Sequence, residues 1–244
     1  MWAKLQRFPG ISHVILRTDL GKRRKNMDYD ENQIAREVAK SLLSIEAVFL
    51  RPHEPFTWAS GIKSPIYCDN RLTLTAPSAR IIVETDLVKT IQKYYPGCQL
   101  LMGTSTAGIA HAAISAHLMD LPMGYVRGSK KDHGRTNRIE GKMERGEKTV
   151  VVEDLISTGG SAIETVEALR EAGADVLGIV SIFTYGMQKS FDMLKEHNVE
   201  NHSLCNLDTL VEVAAETDYI KPEEKEGILA FRDDPLDESW MTMV

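Results

Sequence analysis

Two acids followed by hydroxyls and glycines stand at the end of an apolar run: Val150-Val151-Val152-Glu153-Asp154-Leu155-Ile156-Ser157-Thr158-Gly159-Gly160-Ser161. At the carboxyl edge of a buried strand, where a helix begins, such a string captures an anion. Free N–H groups and the positive end of the helix dipole meet the charge, hydroxyls add donors, and glycine lets the backbone approach closely. Glu153 and Asp154 are badly suited to the anion itself. They suit the hydroxyls of a sugar attached to it, or a metal that the anion also binds. The string is neither G-x-x-x-x-G-K-[ST] nor G-x-G-x-x-G. A Val-rich strand ending in an acid-capped helix is the bland alternative, and the whole run of residues argues against it.

A second segment, 125–135, gathers Arg127, Lys130, Lys131 and Arg135 within nine positions of an otherwise acidic protein. Alone it reads as a solvated basic loop. Beside a phosphate site, with glycines at Gly128 and Gly134, a mobile cationic loop can close over a diphosphate and exclude water. A third segment, Ser60-Gly61-Ile62-Lys63-Ser64-Pro65-Ile66-Tyr67-Cys68-Asp69, reads by itself as a structural Ser-Gly hairpin carrying one lysine.

The string at 150–161 resembles the phosphoribosyl diphosphate signature of type I phosphoribosyltransferases, and the chain is more closely similar to the orotate phosphoribosyltransferases. The three segments occur in that family's order, and the resemblance spans roughly residues 30–240. It implies that Glu153 and Asp154 hold the ribose 2- and 3-hydroxyls while Leu155, Ile156, Ser157, Thr158, Gly159, Gly160 and Ser161 wrap the 5-phosphate. It implies that the turn Gly103 to Gly108 contacts the diphosphate, and that Arg127, Lys131 and His133-Gly134 belong to a flexible loop. In the family that loop reaches across a dimer interface, so a homodimer sharing loop 127–138 is expected. The segment at 60–69 matches the family's amino-terminal Ser-Gly-x-Lys-Ser-Pro, which makes Tyr67 a candidate to lie against a flat base and Lys63 a candidate to orient an acidic group.

The implied reaction transfers ribose 5-phosphate from 5-phosphoribosyl 1-diphosphate to N1 of orotate, giving orotidine 5-phosphate and diphosphate. Lys131, His133 and Asp154 are the implied catalytic residues. Breaking the C1–O bond builds positive charge on the sugar and negative charge on the leaving diphosphate. Mg²⁺, bound mainly through the diphosphate with no protein ligand set of its own, would neutralise the latter beside Lys131 and Arg127. His133 either protonates the diphosphate or merely binds it. Some family members carry cations where this chain has Ala59, Ala107, Gly128 and Tyr185. A purine or uracil phosphoribosyltransferase shares the phosphate signature, but the Lys-Asp-His-Gly loop argues against it. A phosphoribosyl-diphosphate-sensing regulator would need a basic domain or a helix-turn-helix.

These residues need an α/β scaffold. Ile34, Ala35, Val38, Leu42 and Ile45 recur at three and four and predict a helix over 32–45, capped by Asn32. Residues 56–67 predict two short strands, and the stretch from Pro77 to the Pro96-Gly97 break a second helix. A repeated grammar follows: strand 100–102, glycine-rich turn, helix; then strand 149–152, turn, and a helix ended by Gly173. Asp175 to Thr184 is a near-continuous apolar run, as in a strand covered on both faces of a parallel sheet. Two further helices are expected over 207–215 and 222–231. The fold class expected is α/β, a type I phosphoribosyltransferase fold with a mostly parallel central sheet flanked by helices and a small N-terminal hood.

The chain of 244 residues is 43% hydrophobic and 26% charged, with a net charge of −6, ordinary globular proportions. Residues 1–26 hold seven Lys/Arg against Asp19 alone, a local charge of +6, which leaves −12 on positions 27–244. This basic leader is a targeting segment, a nucleic-acid arm or, as preferred here, sequence upstream of an initiator at Met27, outside a single domain over 27–244. A body at −12 repels polyanions, so no nucleic-acid partner is expected. The longest apolar stretch, Val176 to Phe183, is far too short to span a bilayer, so no membrane partner is expected either. Cys68, Cys98 and Cys205 form no C-x-x-C pair and leave an odd thiol, which fits a reducing compartment, the cytoplasm.

Overall fold

A computed structural model describes residues 29–58, 60–128 and 138–244. Residues Glu31–Val244 make up one compact unit; the leader 1–26 and Ala59 lie outside the described residues.

Helix α1 (Glu31–Ser44) buries Ile34, Val38, Ala39 and Leu42, the stripe its spacing predicts. It starts at Glu31, so Asn32 sits inside the first turn rather than capping it. The hood follows. Strand β1 (Val48–Leu50) pairs antiparallel with β4 (Ile66–Cys68), and β2 (Phe56–Thr57) pairs antiparallel with β3 (Lys63–Ser64). A 3₁₀ turn over Asn70–Thr75, in which the Arg71 N–H donates to the Asp69 side chain, leads into α2 (Pro77–Tyr94), which has proline in its first turn.

The main sheet contains β5 (Leu100–Thr104), β6 (Met123–Val126), β7 (Ile139–Glu140), β8 (Lys148–Ile156), β9 (Asp175–Thr184) and β10 (Asn201–Asn206). Its order is β10-β9-β8-β5-β6-β7, with every neighbouring pair parallel except β6 and β7. Crossover helices α3 (Gly108–Met119), α4 (Gly160–Glu171) and α5 (Gln188–Glu196) connect β5 to β6, β8 to β9 and β9 to β10; α6 (Leu207–Glu216) and α7 (Lys225–Asp233) close the chain. Both faces of the sheet are covered. Met102, Val151 and Ile179 pack with Ile163, Val166 and Leu169 of α4, while α1 packs on β10 and α6, and α3 on β5 and β8. Val150, Val151 and Val152 are wholly buried, which explains why β8 reads as an unbroken apolar run rather than an alternating one.

Two differences from the sequence reading matter. Strand β8 does not stop at Val152: Glu153 pairs with Ser181, Leu155 with Phe183 and Ile156 with Thr184, so the acids are part of the ladder to β9. Neither α5 nor β10 is announced by apolar spacing. β10 is an edge strand starting Asn201-His202-Ser203, polar because only β9 pairs with it, and Ser203 meets Ser181 hydroxyl to hydroxyl at 2.6 Å. Among the described residues no helix is long and apolar enough to cross a membrane.

Candidate active site

The acids lie near the carboxyl end of the central strand β8, and Glu153 bonds residues beside the starts of two helices. Because β8 runs to Ile156, the turn into α4 shrinks to Ser157, Thr158 and Gly159. Gly159 sits at φ +87° at the helix cap, a conformation that costs a glycine little. Neither α4 nor α3 has a side-chain cap, so each presents backbone N–H groups and a positive dipole end suited to an anion. Ser105, Thr106 and Ala107 connect β5 to α3, and the Ser105–Thr106 peptide is cis.

Glu153 and Asp154 differ sharply although adjacent. Glu153 is 4% exposed. Its Oε1 accepts from Thr104 Oγ1 at 2.5 Å and from the Asp154 N–H at 2.9 Å, and its Oε2 accepts from Ser161 Oγ at 3.0 Å. Burial pushes its carboxyl up to about 8, helped by the neighbouring Asp154. Asp154 is half-buried, and its carbonyl accepts from Asn70 Nδ2 at 2.7 Å. Asn70 is fully buried; its own carbonyl accepts from Thr73 Oγ1 at 2.6 Å. The hood side of the chain is thereby tied directly to β8.

The remaining residues singled out from sequence are distributed as follows. Ser157, Thr158, Gly159, Gly160 and Ser161 form the turn and first helical residues, as expected for a phosphate cradle. Leu155 stays in the strand, and Ile156 is 1% exposed within the hydrophobic core, so its side chain faces the protein. Tyr67 is 42% exposed, its ring 5.5 Å from that of Phe56. Lys63 Nζ donates to Thr57 Oγ1 at 2.7 Å within the hairpin. Arg127 pairs with Glu140 of β7 at 3.3 Å, and its N–H donates to the Arg138 carbonyl, which anchors both ends of the basic loop. Lys131 and His133 lie outside the described residues.

Tyr185 stands where some relatives carry an arginine, and it packs instead of binding charge. It is 4% exposed, with the Phe183 ring 5.8 Å away edge-on and the Trp58 ring at 6.0 Å. Trp58 in turn meets Phe231 of α7 at 5.7 Å, and Phe231 meets Trp240 at 5.8 Å. This aromatic seam joins the hood to the carboxyl-terminal helices. Asn70 and Thr104 are the site residues that sequence reasoning missed in these roles. Thr104 lay within the glycine-rich turn already noted, whereas Asn70 meets a partner 84 positions away and carries no local signal.

Among the described residues no group of three or more His, Cys, Asp or Glu side chains could hold a metal ion. The lone-pair positions of Glu153 are largely taken by its three donors.

A parallel sheet whose acid pair stands between two uncapped helix starts defines an α/β enzyme that handles a sugar phosphate. A phosphoribosyl transferase domain matches residues 76–208. Orotate phosphoribosyltransferase of Bacillus cereus (strain G9842) is 55% identical over 207 residues, covering 85% of this chain and 99% of that protein. Among solved structures, orotate phosphoribosyltransferase from Aeropyrum pernix superposes with a TM-score of 0.66 at 28% identity, over 75% of this chain and 99% of its own. Leishmania donovani UMP synthase gives 0.68 at 25% identity, over 81% of this chain and 42% of that one. The chain belongs to the phosphoribosyltransferase family, in its orotate phosphoribosyltransferase branch.

Proposed function

We propose that this enzyme transfers ribose 5-phosphate from 5-phosphoribosyl 1-diphosphate to orotate, giving orotidine 5-phosphate and diphosphate. One observation carries the reading: Glu153, next to Asp154 on β8, accepts from Thr104 before α3 and from Ser161 in the first turn of α4, and both of those helix starts lack side-chain caps. The 5-phosphate is received by residues 157–161 and the diphosphate by the turn before α3. Asp154 takes the ribose hydroxyls and sets negative potential beside the sugar as C1–O breaks and positive charge develops there. Tyr67, exposed beside Phe56, offers a face to the base, and Lys63 a cation to its acidic group.

Lys131, His133 and Arg127 close over the leaving group from the basic loop, whose roots are joined by the Arg127 N–H donating to the Arg138 carbonyl and by Arg138 Nε donating to the Arg127 carbonyl. His133 delivers a proton to the diphosphate or binds it. Mg²⁺, carried mainly by the diphosphate, would supply charge neutralisation on the leaving group, and Asp154 is the protein carboxyl that would help to hold it. Two copies pair as a homodimer and share loop 127–138, a reading supported by the family resemblance of that loop. Residues 27–244 act as the catalytic domain, a reading supported by the 99% of a curated relative that 207 residues cover. Cys68, Cys98 and Cys205 are free thiols, which supports a cytoplasmic enzyme.

Diphosphate release from phosphoribosyl diphosphate with Mg²⁺, run in parallel against orotate, uracil, adenine, guanine and hypoxanthine, tests this. Release with orotate alone is expected. Release with another base overturns the base assignment, and release with none overturns the transferase.

A further inference from the structure

A base with a carboxyl group brings negative charge to a cleft that is already acidic. Burial first, and then the charges of Asp154 and Asp69, push up the thiol of Cys68, the chain neighbour of Tyr67. A carboxylate laid against Tyr67 therefore needs a cation beside it. Tyr185, where some relatives carry one, is packed in the aromatic seam. Lys63 is one cation at hand, its Nζ already donating to Thr57 Oγ1 at 2.7 Å.

Arg71 is a second, and the fold holds it ready. It follows Asn70 in the 3₁₀ turn, and Asn70 reaches the Asp154 carbonyl at 2.7 Å. Arg71 Nε donates to Asp69 Oδ1 at 2.6 Å and Nη2 to Asp69 Oδ2 at 2.8 Å, while its backbone N–H donates to Oδ1 at 3.2 Å. The Asp69 N–H is tied in turn to the Ala47 carbonyl at 2.7 Å. The guanidinium is thus fixed along one edge while its side chain stays 62% exposed, and among the described residues Nη1 has no acceptor. Its charge is favoured by Asp69 first, through hydrogen bonding, and then by Tyr67 and Asp154. The cation therefore lies within electrostatic reach of both the base platform and the ribose acid.

We propose that Arg71 is a specificity-determining residue whose free guanidinium edge binds the carboxylate of the base, which separates orotate from a pyrimidine that lacks one. The inference rests on the orotate phosphoribosyltransferase reading and deepens it. A guanidinium presents parallel N–H donors that match the two oxygens of a carboxylate, which a lysine ammonium does not. Because Asp69 fixes the fork in advance, little side-chain freedom is lost when the ligand arrives. A pair that only braced the turn would treat bases with and without a carboxylate alike.

Orotidine 5-phosphate and uridine 5-phosphate differ by that one carboxylate. Calorimetric titration of full-length wild type and Arg71→Gln with each nucleotide, and with phosphoribosyl diphosphate, reads the contact directly. Wild type is expected to prefer orotidine 5-phosphate by about tenfold or more. Arg71→Gln is expected to lose about tenfold or more for orotidine 5-phosphate, the scale of a lost hydrogen bond to a charged group, while binding uridine 5-phosphate and phosphoribosyl diphosphate within about threefold of wild type. Retained affinity for those two ligands also shows that the variant is folded. An unchanged preference in Arg71→Gln would overturn the proposal, and an equal loss of both nucleotides would do so by showing that Arg71 supports the turn. A wild type that binds phosphoribosyl diphosphate and both nucleotides equally well would overturn the Arg71 assignment alone, whereas one that binds none of the three would remove the transferase reading with it.

Discussion

Gly108 begins α3 in a space with no room for a side chain. A Cβ there would stand 2.3 Å from the Val152 carbonyl oxygen and 2.5 Å from Thr104 Oγ1. Carbon and oxygen settle no closer than about 3.3 Å, so Gly108→Ala must open the gap to β8 by about 1 Å. Strand β8 cannot yield, since it is paired on both sides, to β5 and to β9. Thr104 could swing aside, but only by releasing Glu153. The start of α3 therefore moves, carrying the diphosphate-receiving turn with it. Overpacking of this kind costs about 1–3 kcal/mol, and at about 2–4 °C per kcal/mol for a domain of this size the melting temperature falls by about 2–12 °C. A displacement of about 1 Å at a binding turn costs on the order of 10² in kcat/KM. Differential scanning fluorimetry beside steady-state orotidine 5-phosphate formation, at a temperature where the variant stays folded, reads both numbers. A variant that melts and turns over like wild type would refute the close approach; a lowered melting temperature with unchanged kinetics would break the link from turn position to catalysis.

Lys131→Ala is expected to lower turnover by about a hundredfold or more, as when a group stabilising transition-state charge is removed, with an unchanged melting temperature; wild-type turnover would end the lid assignment. Asp154→Asn should melt like wild type yet weaken phosphoribosyl diphosphate by at least about tenfold, the scale of a lost hydrogen bond to a charged group; retained affinity in calorimetry would refute the ribose role. Stability should also report Glu153. Its folded carboxyl titrates near 8 against an ordinary 4.5, so between those values the folded chain keeps a proton that the unfolded chain has lost. The stability this proton contributes is complete below about pH 4.5, declines as pH rises and is gone above about pH 8. Urea denaturation across that window should lose stability with a slope approaching about 1.4 kcal/mol per pH unit from this group, and Glu153→Gln should flatten it; an equally steep slope in the variant would show that another group titrates.

The sequence alone determined the class of fold and the address of the site. Strands buried on both faces must be continuously apolar, so 149–152 and 175–184 announce themselves, and a turn of hydroxyls and glycines after two acids has few uses other than an anion beside a sugar. The proposed roles of Lys131 and His133 rest on the family resemblance of the loop that holds them. Tertiary structure decided how differently the two acids are placed. Glu153 and Asp154 are neighbours of one chemical type, and only the approach of Thr104 and Ser161 turns one carboxyl inward. The grip of Asn70 on Asp154 and the seam from Tyr185 through Trp58 to Phe231 were equally out of reach. Their partners are distant along the chain, and a side chain with no local partner leaves no periodic trace. Edge strand β10 escaped for the same reason: its place is set by pairing with β9, while its own residues are too polar to advertise a strand.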